Sequence, residues 1–213
     1  MNQDIIISNV IQFIKELFNN DHSGHDYFHS LRVYQNAIAI AKHEECDEFL
    51  VSMAALLHDA DDKKLFHSEN YENARSILLK NQVDEKRIAK ICDIIDSVSF
   101  KASDTIVPNS TEGRIVQDAD RLDAIGAIGI ARAFAYGGNR EREIYNPDIE
   151  PMISMNAEEY KKHSGTTLNH FYEKLFLLKD MMNTNAAKQI AKKRHIFMQN
   201  YIEEFYSEWN GES

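Results

Sequence analysis

Proline and glycine are scarce in this chain, 3 and 8 among 213 residues. A turn-rich β fold draws heavily on both, so the shortage favours long helices. Cysteine is nearly absent. The two that occur, Cys46 and Cys92, lie far apart in apolar helical surroundings without CxxC spacing, which reads as two buried free thiols in a reducing cytosol. No apolar run approaches the ~20 residues needed to span a bilayer. The opening stretch, MNQDIIISNV, carries an acid at Asp4 and no basic leader, unlike a secretion signal. These absences predict a cytoplasmic protein with no membrane partner.

Positive charge is also in the minority. With 24 Lys and Arg against 34 Asp and Glu, the formal charge is -10. Such a surface repels a phosphate backbone and speaks against stable binding of nucleic-acid duplexes. A small anionic substrate remains compatible if the site gathers cations locally. What is present in ordinary amount is apolar material, 43% of residues, enough for a full core.

Apolar positions recur at helical spacing. Ile6, Val10, Phe13, Ile14 and Leu17 form the stripe of an opening helix. Asp26 is placed to cap a helix from about Tyr27 to His43, and Asp47 precedes the apolar helix FLVSMAALLHD. Two more helices are expected, at about Glu69–Lys80 and Asp84–Val98, then a loop between Ser99 and Glu112. One helix should run on from Glu112 through DADRLDAIGAIGIARAFAYGG, with Gly137 and Gly138 stopping it. Its small residues, among them Ala124, Gly126 and Gly129, would permit close packing inside the chain or in a homodimer. The polar segment Asn139–Gly165 reads as a lid or mobile excursion. Two long helices should close the chain. The last puts Ile190, Phe197, Met198, Tyr201, Ile202, Phe205 and Trp209 on one face, read as core.

The chemistry centres on His58-Asp59, directly after a buried helical face. An imidazole and a carboxylate are costly to bury without a strong partner, and a divalent cation is one that takes both. A cap with a hydrogen bond is the plainer explanation of the doublet alone. Upstream, HDYFHSLRV sets His29 and Arg32 on one helical face. Downstream, QDADRLDAIGA gathers Asp118, Asp120 and Asp123, whose mutual repulsion a cation would relieve. Histidine, histidine-aspartate and aspartate on three helices offer two nitrogens and two oxygens, a set suited to Mn, Mg, Ni, Fe or Zn.

HxxRV, LLHDADDK and DADRLD, in that order, resemble the motif blocks of the HD-domain superfamily of metal-dependent phosphohydrolases. The likeness extends from about Asp21 to Trp209, through the GAIGIAR helix and the closing segments. It implies an all-α, single-domain helical fold over residues 1–213, with a metal-binding core at about 21–135 and helices at about 166–209 packed on it. It also implies four ligands for one divalent metal: His29, His58, Asp59 and Asp120. The activity implied is hydrolysis of a small phosphorylated substrate, a nucleotide or similar ester. The alternatives are a (p)ppGpp-type hydrolase and a metal-containing binding or signalling module with little turnover.

Further roles follow from chemistry. Asp62, then Asp61, is the candidate to orient or deprotonate the attacking water, against a solvated helix end as the plainer reading. His25 either protonates the leaving oxygen or caps its loop. Arg32 and Lys63 are candidates to bind phosphate, Lys63 alternatively pairing with the adjacent acids. Arg132 and Lys174 are weaker candidates for the same wall. Asp123 would support a ligand from behind, and Arg121 would make a structural ion pair. His43, His67, His163, His170 and His195 read as ordinary polar or packed residues.

Overall fold

The computed structural model describes residues 2–19, 26–62, 66, 68–98, 106–153, 155, 158–159, 163 and 165–212. The fold is all-α, and no strand occurs among the described residues. None of their helices is long and apolar enough to cross a membrane. Contacts divide the chain into two compact units, Met1–Phe100 with Thr105–Asp120, and Lys101–Asp104 with Arg121–Ser213.

The first unit is built around α3 (Glu48–Leu57), which packs against α1 (Gln3–Leu17), α2 (Tyr27–Ala41) and α5 (Glu85–Val98). Every residue of α3 from Phe49 to Leu57 is buried. A helix buried on every face must sit at the centre of its neighbours. Asp47 opens α3 by accepting from the amides of Phe49 and Leu50, and Asp26 opens α2 in the same way. On α1 the buried stripe is Ile6, Val10 and Ile14, continued by Phe18 just past its end, while Phe13 and Leu17 are half-buried. α4 (Glu72–Lys80) starts three residues later than its sequence suggests, because Asn70 and Tyr71 take left-handed angles (φ 52° and 58°) that interrupt a helix.

The expected single helix after Glu112 is two. α6 (Thr111–Asp123) ends in a turn at Ala124 and Ile125, and α7 (Gly126–Asn139) begins at a glycine with φ +78°. Gly129 touches the carbonyl of Ala124 so closely that a Cβ would stand 2.3 Å from its oxygen. Gly137 does not stop the helix. It lies under Thr167, whose Oγ1 would be 2.2 Å from a Cβ there.

In the second unit, described residues of the segment before residue 165 are bonded to the residues that follow it. Thr167 and Leu168 amides donate to the carbonyls of Glu143 and Ile144, and Asn169 Nδ2 donates to Ile149 O. Buried Glu173 accepts from the Met152 amide at 3.2 Å and pairs with His163 Nε2 at 2.8 Å. The first of the two expected closing helices is instead a π turn (Phe171–Leu175) followed by a 3-10 turn (Leu177–Met181). Only α8 (Asn185–Asn210) is long. Its buried line is Ala187, Ala191, Met198 and Ile202. Phe197 and Trp209 are more than half exposed, so the expected aromatic core face is a correction. Tyr145 instead meets Phe205, Tyr206 and Trp209 edge-on. Both cysteines are free thiols, Cys92 buried and Cys46 half-buried.

Candidate metal centre

Three helices of the first unit bring four side chains together. His29 sits in the first turn of α2, where its amide donates to the Asp26 carboxylate at 2.7 Å. His58 and Asp59 occupy the turn at the C-terminal end of α3. Asp120 lies in the last turns of α6, next to Ala119, whose carbonyl accepts from Asn36 Nδ2 of α2 at 3.4 Å.

The ring nitrogens face one another, His29 Nε2 to His58 Nε2 at 3.2 Å. Asp59 Oδ2 lies 3.4 Å from His29 Nε2 and 3.3 Å from His58 Nε2. Asp120 Oδ1 lies 3.4 Å and 3.9 Å from the same two atoms. Ligand atoms of His29, His58 and Asp120 all fall within 4.8 Å of one another, and Asp59 joins them through both imidazoles. His29 is 2% exposed and Asp59 8%, so little water reaches the inner pair, whereas the Asp120 side chain is 30% exposed.

The donor set fits a divalent cation on a structural ground. His58 Nδ1 lies 2.9 Å from the Ala55 carbonyl. A carbonyl only accepts, so Nδ1 carries the proton and a neutral His58 presents a lone pair at Nε2, as a ligating imidazole does. That Nε2 faces His29 Nε2 and the two carboxylates, an arrangement of donor atoms that a divalent cation can occupy. Burial disfavours a charged His58, but the Asp59 carboxylate, its hydrogen bond and Asp120 outweigh burial and raise the imidazole to about 9.

The other candidates fall into three groups. His25 and Lys63 lie outside the described residues. Arg32 follows His29 by one turn on α2, half-buried, and Asp62 is half-buried just after the His58-Asp59 turn, its amide bonded to the Asp59 carbonyl at 3.1 Å. Asp61 has both oxygens on main-chain donors, Asn73 N at 2.9 Å and Ala74 N at 3.0 Å. Asp118 is fully buried.

Arg132 and Lys174 belong to the second unit. There Arg132 binds Asp123, a carboxylate 2% exposed, at 2.6 Å. Lys174 lies on the π turn and, with Arg142, acts on His170, whose burial is the main reason its imidazole falls to about 3. Arg121 donates to the Met181 carbonyl, and Arg194 to that of Leu122. Sequence reasoning missed Asn73, whose Nδ2 holds the Ala60 carbonyl at 2.8 Å. No spacing rule links residues 60 and 73, and nothing local in the sequence marks the pair.

The family model for the HD domain matches residues 26–125, the span that holds all four converging side chains. Uncharacterized protein YpgQ of Bacillus subtilis is 36% identical over 198 residues, covering 89% of this chain and 87% of YpgQ. A crystal structure of YpgQ in complex with ADP superposes with a TM-score of 0.79 at 32% identity, covering 98% and 97% of the two chains. A Bacillus thuringiensis protein described as an HD-superfamily hydrolase is 42% identical with a TM-score of 0.78, covering 98% and 99%. A Lactobacillus plantarum crystal structure reaches a TM-score of 0.86 at 39% identity, covering 99% and 100%.

Proposed function

This chain belongs to the HD-domain superfamily, and from that membership we propose that it is a metal-dependent phosphohydrolase acting on a nucleotide or similar small phosphate ester. One observation carries the reading: two imidazole nitrogens from two helices lie 3.2 Å apart, each 3.3–3.9 Å from carboxylates of Asp59 and Asp120, with His58 Nδ1 turned away to the Ala55 carbonyl. His29, His58, Asp59 and Asp120 would hold one divalent ion, of Mn, Mg, Ni, Fe or Zn. Such an ion, when bound, polarises a phosphoryl oxygen and acidifies water. The Bacillus subtilis relative crystallised with ADP, which supports a nucleotide as ligand class.

The chain's own residues would do the rest. The Asp62 carboxylate is assigned to take the proton of the attacking water. Arg32, one turn from His29, would offset phosphate charge, with Lys63 beside Asp62 in sequence. His25 would return a proton to the leaving oxygen. Arg132 and Lys174 are further cations to test on substrate affinity.

The test is phosphate release from a panel of nucleotides and phosphoesters, using metal-stripped protein reloaded separately with each ion. Release from one compound, dependent on metal and lost in Asp59→Ala with helical content intact, is the expected result. Full activity in Asp59→Ala would sink the mechanism. Silence across the panel with stoichiometric metal bound would favour a ligand-binding module.

A further inference from the structure

α4 begins without a capping group of its own. Tyr71, at the cap position, has a left-handed backbone and makes no side-chain bond to the helix. Asn70 before it is left-handed as well. Two such residues in succession persist only where the surroundings hold them. The amides a local cap would serve go instead to Asp61, which reaches over from the turn carrying His58 and Asp59. Asn73 N–H donates to its Oδ1 and Ala74 N–H to its Oδ2.

The tie is reciprocal. Asn73 Nδ2 donates to the Ala60 carbonyl at 2.8 Å, so each segment's backbone is bound by the other's side chain. Tyr71 Oη anchors the strained pair by donating to Asp96 Oδ1 of α5 at 2.7 Å. Among the described residues, the main-chain bonds that close the turn beyond Leu57 are Ala60 N to Leu57 O at 3.0 Å and Asp62 N to Asp59 O at 3.1 Å, with Phe66 N reaching back to Asp62 O at 2.9 Å. These bonds are all short-range, and the pair of ties to α4 adds long-range support behind the two side chains.

We infer that Asp61 and Asn73 are positioning residues, a reciprocal latch that fixes the turn presenting His58 and Asp59, and that Asp61 is not the proton acceptor. The inference rests on reading His58 and Asp59 as metal ligands. It goes beyond that reading by giving the first acid after the pair a main-chain task and by bringing in Asn73, which touches none of the four ligands in sequence or motif.

The experiment titrates metal-free, full-length protein with Mn²⁺ and follows free Mn²⁺ by electron paramagnetic resonance. Wild type, Asp61→Ala, Asn73→Ala and the double variant are compared, each with its circular dichroism spectrum. Each single change should weaken Mn²⁺ binding by roughly tenfold or more, and the double variant should be little worse than either, because both act on one latch. The acid limb of the pH–rate profile should survive in Asp61→Ala. Unchanged Mn²⁺ affinity in the single variants, or an acid limb abolished in Asp61→Ala, would overturn the proposal. Should Asp61→Ala fail to fold, Asn73→Ala decides alone, since it removes one side-chain bond and keeps the main-chain donor. A wild type that binds Mn²⁺ but hydrolyses nothing refutes the hydrolase reading while the titration still judges the latch. A wild type that binds no Mn²⁺ overturns both.

Discussion

His58 and Ala55 are joined one turn apart by a 2.9 Å bond from Nδ1 to the carbonyl, and that bond decides which nitrogen His58 shows to His29. Burial opposes a charged imidazole there, but Asp59 and Asp120 outweigh it and raise His58 to about 9, so before metal binds Nε2 is expected to carry a proton at neutral pH. A ligating imidazole is neutral. Metal binding near neutrality should therefore expel about one proton, and affinity should rise by about tenfold per pH unit until the pH approaches 9. Calorimetry of Mn²⁺ binding in two buffers of different ionisation enthalpy reads the proton directly. Equal heats in both buffers would show that His58 was already neutral.

His170 gives the opposite pH signature. Burial first, then Lys174 and Arg142, lower its imidazole to about 3, so the fold holds it neutral where the unfolded chain would protonate it. The associated stability is complete above the unfolded value near 6.5 and is lost progressively as pH falls towards 3. At a pH near 5 the deficit is about 2 kcal/mol. Urea unfolding near pH 7.5 and pH 5 should show that His170→Gln loses less on acidification than wild type by about this amount. An identical acid loss in both proteins would place the titrating group elsewhere.

Arg132 is first a partner of Asp123. Removing it in Arg132→Ala takes the 2.6 Å cation from a carboxylate that is 2% exposed. The expected cost is about 3 kcal/mol of stability, softened by the partial exposure of the arginine. A lowered melting temperature with KM unchanged fits this role. A stable variant with a raised KM would instead assign Arg132 to substrate phosphate.

Ser30 Oγ, fully buried on α2 beside His29, has no hydrogen-bond partner among the described residues. A buried hydroxyl left unpaired costs stability, so Ser30→Ala should be neutral or stabilising by up to about 1 kcal/mol. A shift of the denaturant midpoint to lower concentration would show that the hydroxyl has a partner after all.

Much of the candidate site was legible because its signals are local. Asp26 and Asp47 stand where caps belong, α3 is apolar from Phe49 onward except for Ser52, and His29, His58, Asp59 and Asp120 sit in short recognisable motifs. The break between α6 and α7 was not legible. In DAIGAIGIAR, Gly126 looks like one more small helical residue, and its left-handed backbone leaves no mark in the composition. There the aliphatic stem of Arg194, 68 residues along the chain, passes 2.9 Å from where a Cβ would stand. The run HFYEKLFLLKD has helical spacing, yet it winds as π and 3-10 turns, since buried Glu173 must face His163 and the Met152 amide. Asp61 was read as a solvated or catalytic acid because the amides it serves lie twelve and thirteen residues away.

The borrowed cap on α4 has a consequence for the order of folding. A helix of nine residues is too short to persist alone in water. With its acceptor supplied by Asp61, its first turn can settle only after the turn at the end of α3 has formed. Translation runs in the same direction: Asp61 leaves the ribosome before Asn73 and Ala74, the donors it serves.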